Sequence, residues 1–310
     1  MSNSEVDLSI VVPVYNDPAG LQTTIDSLLD QTATEYEIII ADNGSTDATR
    51  TVAREFAEDD RVTLVVEDEI QGSYAARNLG IEAATGDILC FVDADMWVES
   101  DWVTSVRARM DEGVAYLCCN VIVRTSTDSL AARYNERTGF PVESYITEKH
   151  FAPTCCLAVT REVIETVGPF DPRLISGGDV EFGRRVHRAG FRQEFAESIR
   201  MSHPARTTVT ALARKHYRMG RGRSQLARYH PDIESRHPLH PFKFLPVRPS
   251  TVSEPFDSEP LPRQAAYFLL ATVLKWSATA GRIREWLRPT RQDVEWNGET
   301  TAAHSTRNPT

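Results

Sequence analysis

The chain has 310 residues, 41% of them hydrophobic and 25% charged, which is the make-up of an ordinary globular protein with room for one large domain and an appendage, or for two domains. That balance excludes a disordered, collagenous or disulfide-scaffold chain. The formal charge of −10 argues against non-specific nucleic-acid binding, so no nucleic-acid partner is expected.

The charge is unevenly spread. Residues 1–100 carry 21 acids against 4 bases, whereas 184–236 carry 4 acids against 13 bases, so one part should repel anions and another attract them. Lysine occurs only at Lys149, Lys215, Lys243 and Lys275, a usage that fits a high-salt cytoplasm and a GC-rich genome equally. Five cysteines (Cys90, Cys118, Cys119, Cys155, Cys156) give an odd count with no C-x-x-C spacing, and read as reduced, buried residues of a cytosolic protein. The opening MSNSEVDLSIVV has no basic n-region and its apolar run is of strand length, so export through a signal peptide is not expected and a cytoplasmic location is.

In chain order, the pattern predicts strands at 8–14, 36–41, 62–66 and 88–92, alternating with helices at 19–29, 46–56 and 74–84. The continuous apolar runs IVVPV, EIII and ILCFV suit strands covered on both faces, hence a doubly wound, mostly parallel α/β sheet. Ligands of such sheets lie beyond the carboxyl ends of the strands, which here present Tyr15-Asn16, Asp42-Asn43, Glu67-Asp68 and Asp93-Ala94-Asp95. From 102 to about 200 the pattern is less regular, with a strand-like stretch at 116–123, a helix near Leu130, FAPTCCLAV leading into a helix from Arg161, and a further helix after Gly177-Gly178. Residues 207–229 read as a basic helical pair interrupted by Gly220 and Gly222. Eight prolines between Pro231 and Pro262 predict an extended linker or wrap. Residues 264–287 read as an apolar helix, and a polar tail from Thr290 is expected to be disordered.

Asp93 and Asp95 stand two apart in an extended segment, so they point the same way and can share one Mg²⁺ or Mn²⁺ while leaving sites for water and diphosphate oxygens. A solvated turn is the structural alternative. Asp42 opens DNGSTDAT, where it either stabilises the loop or accepts an N–H from a nucleobase. Arg77, on the helix before the acidic strand end, suits either a surface ion pair or a ligand phosphate.

Four segments in order, PVYN at 13–16, ADNGSTDAT at 41–49, GSYAARNLGIEAATGDILCFVDAD at 72–95 and GGDVEFGRRV at 177–186, resemble the family-2 glycosyltransferases of GT-A-type fold, over roughly residues 8–205. The resemblance implies an inverting enzyme that uses a nucleotide-diphosphate sugar. Pro13, Tyr15 and Asn16 would line the nucleoside pocket, with Asp42 reading the base and Arg77 near the nucleotide. Asp93 and the adjoining Ala94 would meet the donor at the ribose, and Asp95 would bind the metal bridging the diphosphate. Asp179 falls on the Asp of the family's Glu-Asp pair, the general base that deprotonates the acceptor hydroxyl, with Glu181 behind it as the second candidate. As a purely structural residue Asp179 would be a helix N-cap. Gly178 replaces the usual Glu, and Cys156 stands where relatives often carry Asn. His203 would return to the metal or diphosphate, with Arg206 adding positive charge at the leaving group. The run RKHYRMGRGRSQLARY would close over the diphosphate as a lid with glycine hinges. Gln225, Arg228 and Tyr229 are distantly similar to the Q-x-x-R-W motif of processive synthases, but Tyr replaces Trp and the multiple spans are missing.

Competing readings are weaker. A sugar-phosphate nucleotidyltransferase places a Gly-rich loop with Arg and Lys after its first strand, where this chain has PVYNDP. A dinucleotide dehydrogenase needs G-x-G-x-x-G there. A degenerate, non-catalytic sugar-nucleotide-binding subunit is the non-enzyme alternative. The expected division is 1–205 catalytic, 206–230 basic helical lid, 231–263 linker, 264–289 amphipathic helix and 290–310 tail. The stretch Ala265–Leu274 is too short for a hydrocarbon core needing about 20 residues. With Trp276, Trp286 and the following arginines it either packs on the catalytic domain or lies in a membrane interface, where the acceptor would be a lipid-linked glycan at the cytoplasmic face.

Overall fold

A computed structural model describes residues 7–235 and 237–288; the tail expected from Thr290 lies outside the described residues. In chain order the elements are β1 (Leu8–Val14), α1 (Pro18–Leu29), β2 (Tyr36–Asp42), α2 (Thr49–Phe56), β3 (Val62–Val66), α3 (Ser73–Ala83), β4 (Ile88–Val92), β5 (Trp97–Val98), α4 (Trp102–Met110), β6 (Tyr116–Arg124), α5 (Leu130–Thr138), α6 (Val142–Lys149), β7 (Cys156–Thr160), α7 (Arg161–Val167), α8 (Gly178–Arg188), β8 (Gln193–Pro204), α9 (Val209–Tyr229), α10 (Ser250–Phe256) and α11 (Leu261–Trp286).

The strands form one eight-stranded sheet in the order β3-β2-β1-β4-β7-β6-β8-β5. Its first four strands are parallel, as their unbroken apolar runs require: every residue of β1 and of β4 is buried. Beyond β4 the sheet is mixed, with β7 antiparallel to both neighbours, β6 parallel to β8 and β5 antiparallel to β8. The order reverses at β1, so a crevice opens beyond the carboxyl ends of β1 and β4, where Tyr15-Asn16 and Asp93-Ala94-Asp95 stand.

Two expectations are corrected by packing. Gly220 and Gly222 do not break the basic segment, because α9 is one helix of 21 residues. A Cβ at Gly220 would collide with the carbonyl of Ala278, and one at Gly222 with that of Ser176, so these glycines let α9 lie directly on α11 and on the loop before α8. They are contact points, and the hinge reading is set aside. The proline-rich stretch is also more than an extended wrap. It contains α10, whose Phe256 is wholly buried and stacks on Tyr267 of α11 with ring centroids 3.9 Å apart.

Helix α11 presents Tyr267, Leu270, Ala271, Leu274, Gly281 and Glu285 inward. Ser224 Oγ donates to the Arg282 carbonyl at 2.9 Å, and Arg221 pairs with Glu285 at 2.7 Å. Gln225 Nε2 donates to the same Glu285, and Arg228 donates to its carbonyl. The two residues that resemble a processivity motif therefore clamp α11 to the catalytic body.

Candidate active site

The loops after the strands are stitched to one another. Asn16, in the left-handed region with φ 49°, accepts from the Thr46 N–H at 2.8 Å, while its own N–H donates to Ser45 Oγ. Asn43 Oδ1 accepts from Gly72 N–H and Gln71 Nε2, fixing the start of α3. Thr24 Oγ1 donates to the Met96 carbonyl at 2.7 Å and pins the turn carrying Asp93, Ala94 and Asp95 against α1. Pro13 is buried, Tyr15 and Asn16 are exposed, and Ala94 is buried with its carbonyl against Gly20.

Asp42 is wholly buried, and both its oxygens are taken. Oδ1 accepts from the Ser45 N–H at 3.0 Å and Oδ2 from Arg50 Nε at 2.7 Å. Its carboxylate holds the β2–α2 loop, and a base that reached it would meet a group already engaged by Arg50.

Arg77 is 2% exposed and forms an ion pair with Asp93, while its Nη1 donates to the Ser73 carbonyl. Its Nε is buried with no partner among the described residues. The antiparallel pairing of β5 with β8 (Trp97 opposite Ser202) brings Asp95 to His203, with Oδ2 and Nε2 3.6 Å apart. That spacing is too long for a hydrogen bond and suits two ligands of one cation. His203 Nδ1 lies 2.6 Å from the Pro204 carbonyl, so Nδ1 carries the proton and the Nε2 lone pair faces Asp95. Burial lowers the His203 pKa, which favours the neutral ring a metal needs. Among the described residues no three metal-binding side chains converge. Two protein ligands completed by water and phosphate are a common arrangement for Mg²⁺, so the residues present fit such an ion.

Arg77, Asp93 and His203 border a cavity of about 500 Å³ that α9 also lines, through Lys215, Arg218, Met219, Arg223 and Leu226, which share one face at helical spacing. Asp93, Arg77, His203, Arg206 and Asp179 all line it. Arg206 Nη1 is buried without a partner among the described residues, and burial, with Arg206 nearby, brings the Lys215 pKa down to about 8.

Asp179 is the second residue of α8; the N-cap is Gly177. Its Oδ1 accepts from the Val180 N–H at 2.9 Å, which corrects the N-cap reading but still satisfies one first-turn amide. Burial raises its pKa above the ordinary carboxylate value, against the lowering effect of Val180 N–H and Arg77. Glu181 does not reach the cavity. It is 3% exposed and makes a two-pronged pair with Arg185, whose guanidinium also bonds the Gly168 and Pro169 carbonyls. Glu181 therefore anchors α8 and is not a second base.

Both departures from the family pattern have physical counterparts. A Cβ at Gly178 would stand 2.7 Å from Tyr74, whose hydroxyl accepts from the Asp179 N–H at 3.3 Å. Tyr74 fills the space that a side chain at 178 would take. Cys156 is buried with its sulfur 3.5 Å from that of Cys118, and the cysteine lining the cavity is Cys155. All five cysteines are free and buried, as expected.

A family model described as Glycosyl transferase family 2 matches residues 9–168. The chain belongs to that family. As a family-2 glycosyltransferase it is 38% identical over 224 residues to glycosyltransferase AglE of Haloferax volcanii, a match covering 71% of this chain and 73% of AglE. It is 34% identical over 145 residues to a putative glycosyltransferase, EpsH, of Bacillus subtilis, which covers 45% of this chain and 41% of EpsH. The mannosyltransferase PcManGT of Pyrobaculum calidifontis, solved with GDP-Man and Mn²⁺, superposes with a TM-score of 0.60 at 19% identity, over 90% of this chain and 87% of that one. S. aureus TarS, solved with UDP-GlcNAc, gives 0.55 at 14% identity over 90% and 92%. The fold is thus the GT-A type expected from the four motifs. Membership in this family sets aside the nucleotidyltransferase reading.

Proposed function

We propose that the protein transfers a sugar, with inversion, from a UDP- or GDP-linked donor to an acceptor hydroxyl, with Asp179 as general base. The observation that carries this reading is the presence of Asp179, its pKa raised by burial, in the same cavity as Arg77 and Asp93. A partly desolvated carboxylate holds a proton well enough to take it from the acceptor as the new bond forms. Tyr74 and the Val180 N–H fix the direction from which Asp179 reaches its partner.

The base would rest on Pro13, Tyr15 and Asn16, with Asp42 accepting its N–H in exchange for Arg50. Asp93 and Ala94 would meet the ribose. Asp95 and His203 would hold Mn²⁺ or Mg²⁺, which when bound supplies positive charge to the diphosphate. Arg206, whose Nη1 has no partner among the described residues, would stabilise the leaving diphosphate. A thermal-shift screen of UDP- and GDP-sugars with Mn²⁺ tests the donor class. A true donor at 100 times its Kd should stabilise the fold by about 2.7 kcal/mol, and no shift with any donor would contradict the reading.

The acceptor is proposed to be lipid-linked, at the cytoplasmic face of a membrane. No helix of the described residues is long and apolar enough to cross a bilayer. While the inner face of α11 packs on α9, its outer face exposes Leu269, Val273 and Trp276. Trp276 Nε1 donates to the Phe244 carbonyl, which joins this stripe to the exposed Phe244 and its neighbours Phe242 and Leu245. Lys275 and Arg284 lie on the same helix, as anionic headgroups would require. The protein should float with anionic liposomes at low salt, and Leu269→Ser with Trp276→Ser should leave it in the soluble fraction still folded. Absence of flotation by the parent would contradict this.

A further inference from the structure

The cavity holds more positive charge than a donor can use. Seven Lys and Arg side chains line it against three carboxylates, Asp93, Asp179 and Glu234. A nucleotide-diphosphate sugar carries two negative charges at its diphosphate, and a divalent cation cancels them. Even after Asp95 is added, the excess remains.

Its location narrows what it serves. Arg206 and Lys215 both feel the charge of Asp95, and Arg218 acts on both of them, so these three stand together toward the Asp95 side. Lys149, Arg184 and Arg223 come from the ends or faces of α6, α8 and α9. None of the three has a carboxylate within 4 Å among the described residues; Arg184 Nη1 meets only the Ile233 carbonyl at 3.3 Å and Lys149 lies over the Tyr145 ring. Elsewhere in the chain arginines such as Arg50, Arg61, Arg107, Arg173 and Arg221 each find an acid. Asp179, Tyr145 and the three basic side chains line the same cavity of about 500 Å³, so a molecule bound there can face the base and the basic groups together.

Resting on the glycosyltransferase reading above, we propose that the acceptor carries an anionic group, a carboxylate or a phosphate, close to the hydroxyl that is glycosylated, and that Lys149, Arg184 and Arg223 bind it. Charge-assisted hydrogen bonds of this kind are stronger than neutral ones and discriminate against an uncharged analogue.

Calorimetric titration of the full chain with Mn²⁺ and whichever of UDP or GDP it binds, using methyl glucuronide, glucose 6-phosphate and methyl glucoside, tests this. At least one anionic sugar should bind about tenfold more tightly than the neutral glycoside, and the preference should fall as NaCl rises. Which anion wins identifies the carboxylate or the phosphate source. Arg184→Gln with Arg223→Gln should abolish the preference while nucleotide affinity moves less than twofold, and Lys149→Gln, at an exposed position, should reduce it in a variant that keeps the core intact. Equal binding of all three sugars, or a preference that survives the substitutions, overturns the proposal. If UDP or GDP binds normally while the preference is absent, only the anionic acceptor is refuted; if neither nucleotide binds, the proposed donor chemistry fails with it.

Discussion

Asp179→Asn is expected to lower the turnover of sugar transfer by about 10² to 10⁴ while fold and donor affinity stay as they are. The amide keeps an oxygen where Oδ1 accepts from Val180, so the first turn of α8 loses no partner. What disappears is the ability to take a proton. Only the ionised carboxylate is a base, and burial raises its pKa, so the parent rate should fall as pH drops through a value above the ordinary carboxylate range. In Asp179→Asn the residual rate should show no such step. Steady-state kinetics against pH, with thermal unfolding as a control, checks both; an unchanged rate with lowered stability would make Asp179 a structural residue of the helix start.

Chelation by EDTA should abolish transfer, and Mn²⁺ or Mg²⁺ should restore it, because Asp95 and His203 bring an acid and a ring nitrogen to 3.6 Å from each other, as two ligands of one proposed cation. Asp95→Ala should lose donor binding as well as rate. His203→Ala should be milder, raising the donor KM and the Mn²⁺ requirement, because Asp95 and the diphosphate still offer oxygens. Donor titrations with and without metal measure this, and full activity of Asp95→Ala in EDTA would remove the metal assignment.

The parallel half of the sheet was legible because buried parallel strands write themselves as runs of Val, Ile and Leu, and the strand ends then select Asp42 and Asp93-Ala94-Asp95 without further information. The meeting of Asp95 with His203 was implied only by family resemblance, since it depends on a two-residue strand, β5, pairing with β8 from a hundred residues away. Gly220 and Gly222 were misread because a glycine that admits a neighbouring helix and a glycine that breaks its own helix look alike in one dimension. Tyr74 was overlooked, and its only trace in the sequence is the missing side chain at Gly178, more than a hundred positions away. The α9 face formed by Lys215, Arg218, Met219 and Arg223 was visible in principle from its three- and four-residue spacing, and Lys215 stands out as one of four lysines.

The stereochemistry of the transferred sugar tests the account most directly. With Asp179 proposed as the one base on the acceptor and Asp93, in the same cavity, committed to Arg77, attack on the sugar should come from the acceptor oxygen in a single displacement. Proton NMR of the product formed from an α-linked donor should then show a β-linked sugar from the first turnover. An α-linked product at early times would contradict single displacement with Asp179 as its base.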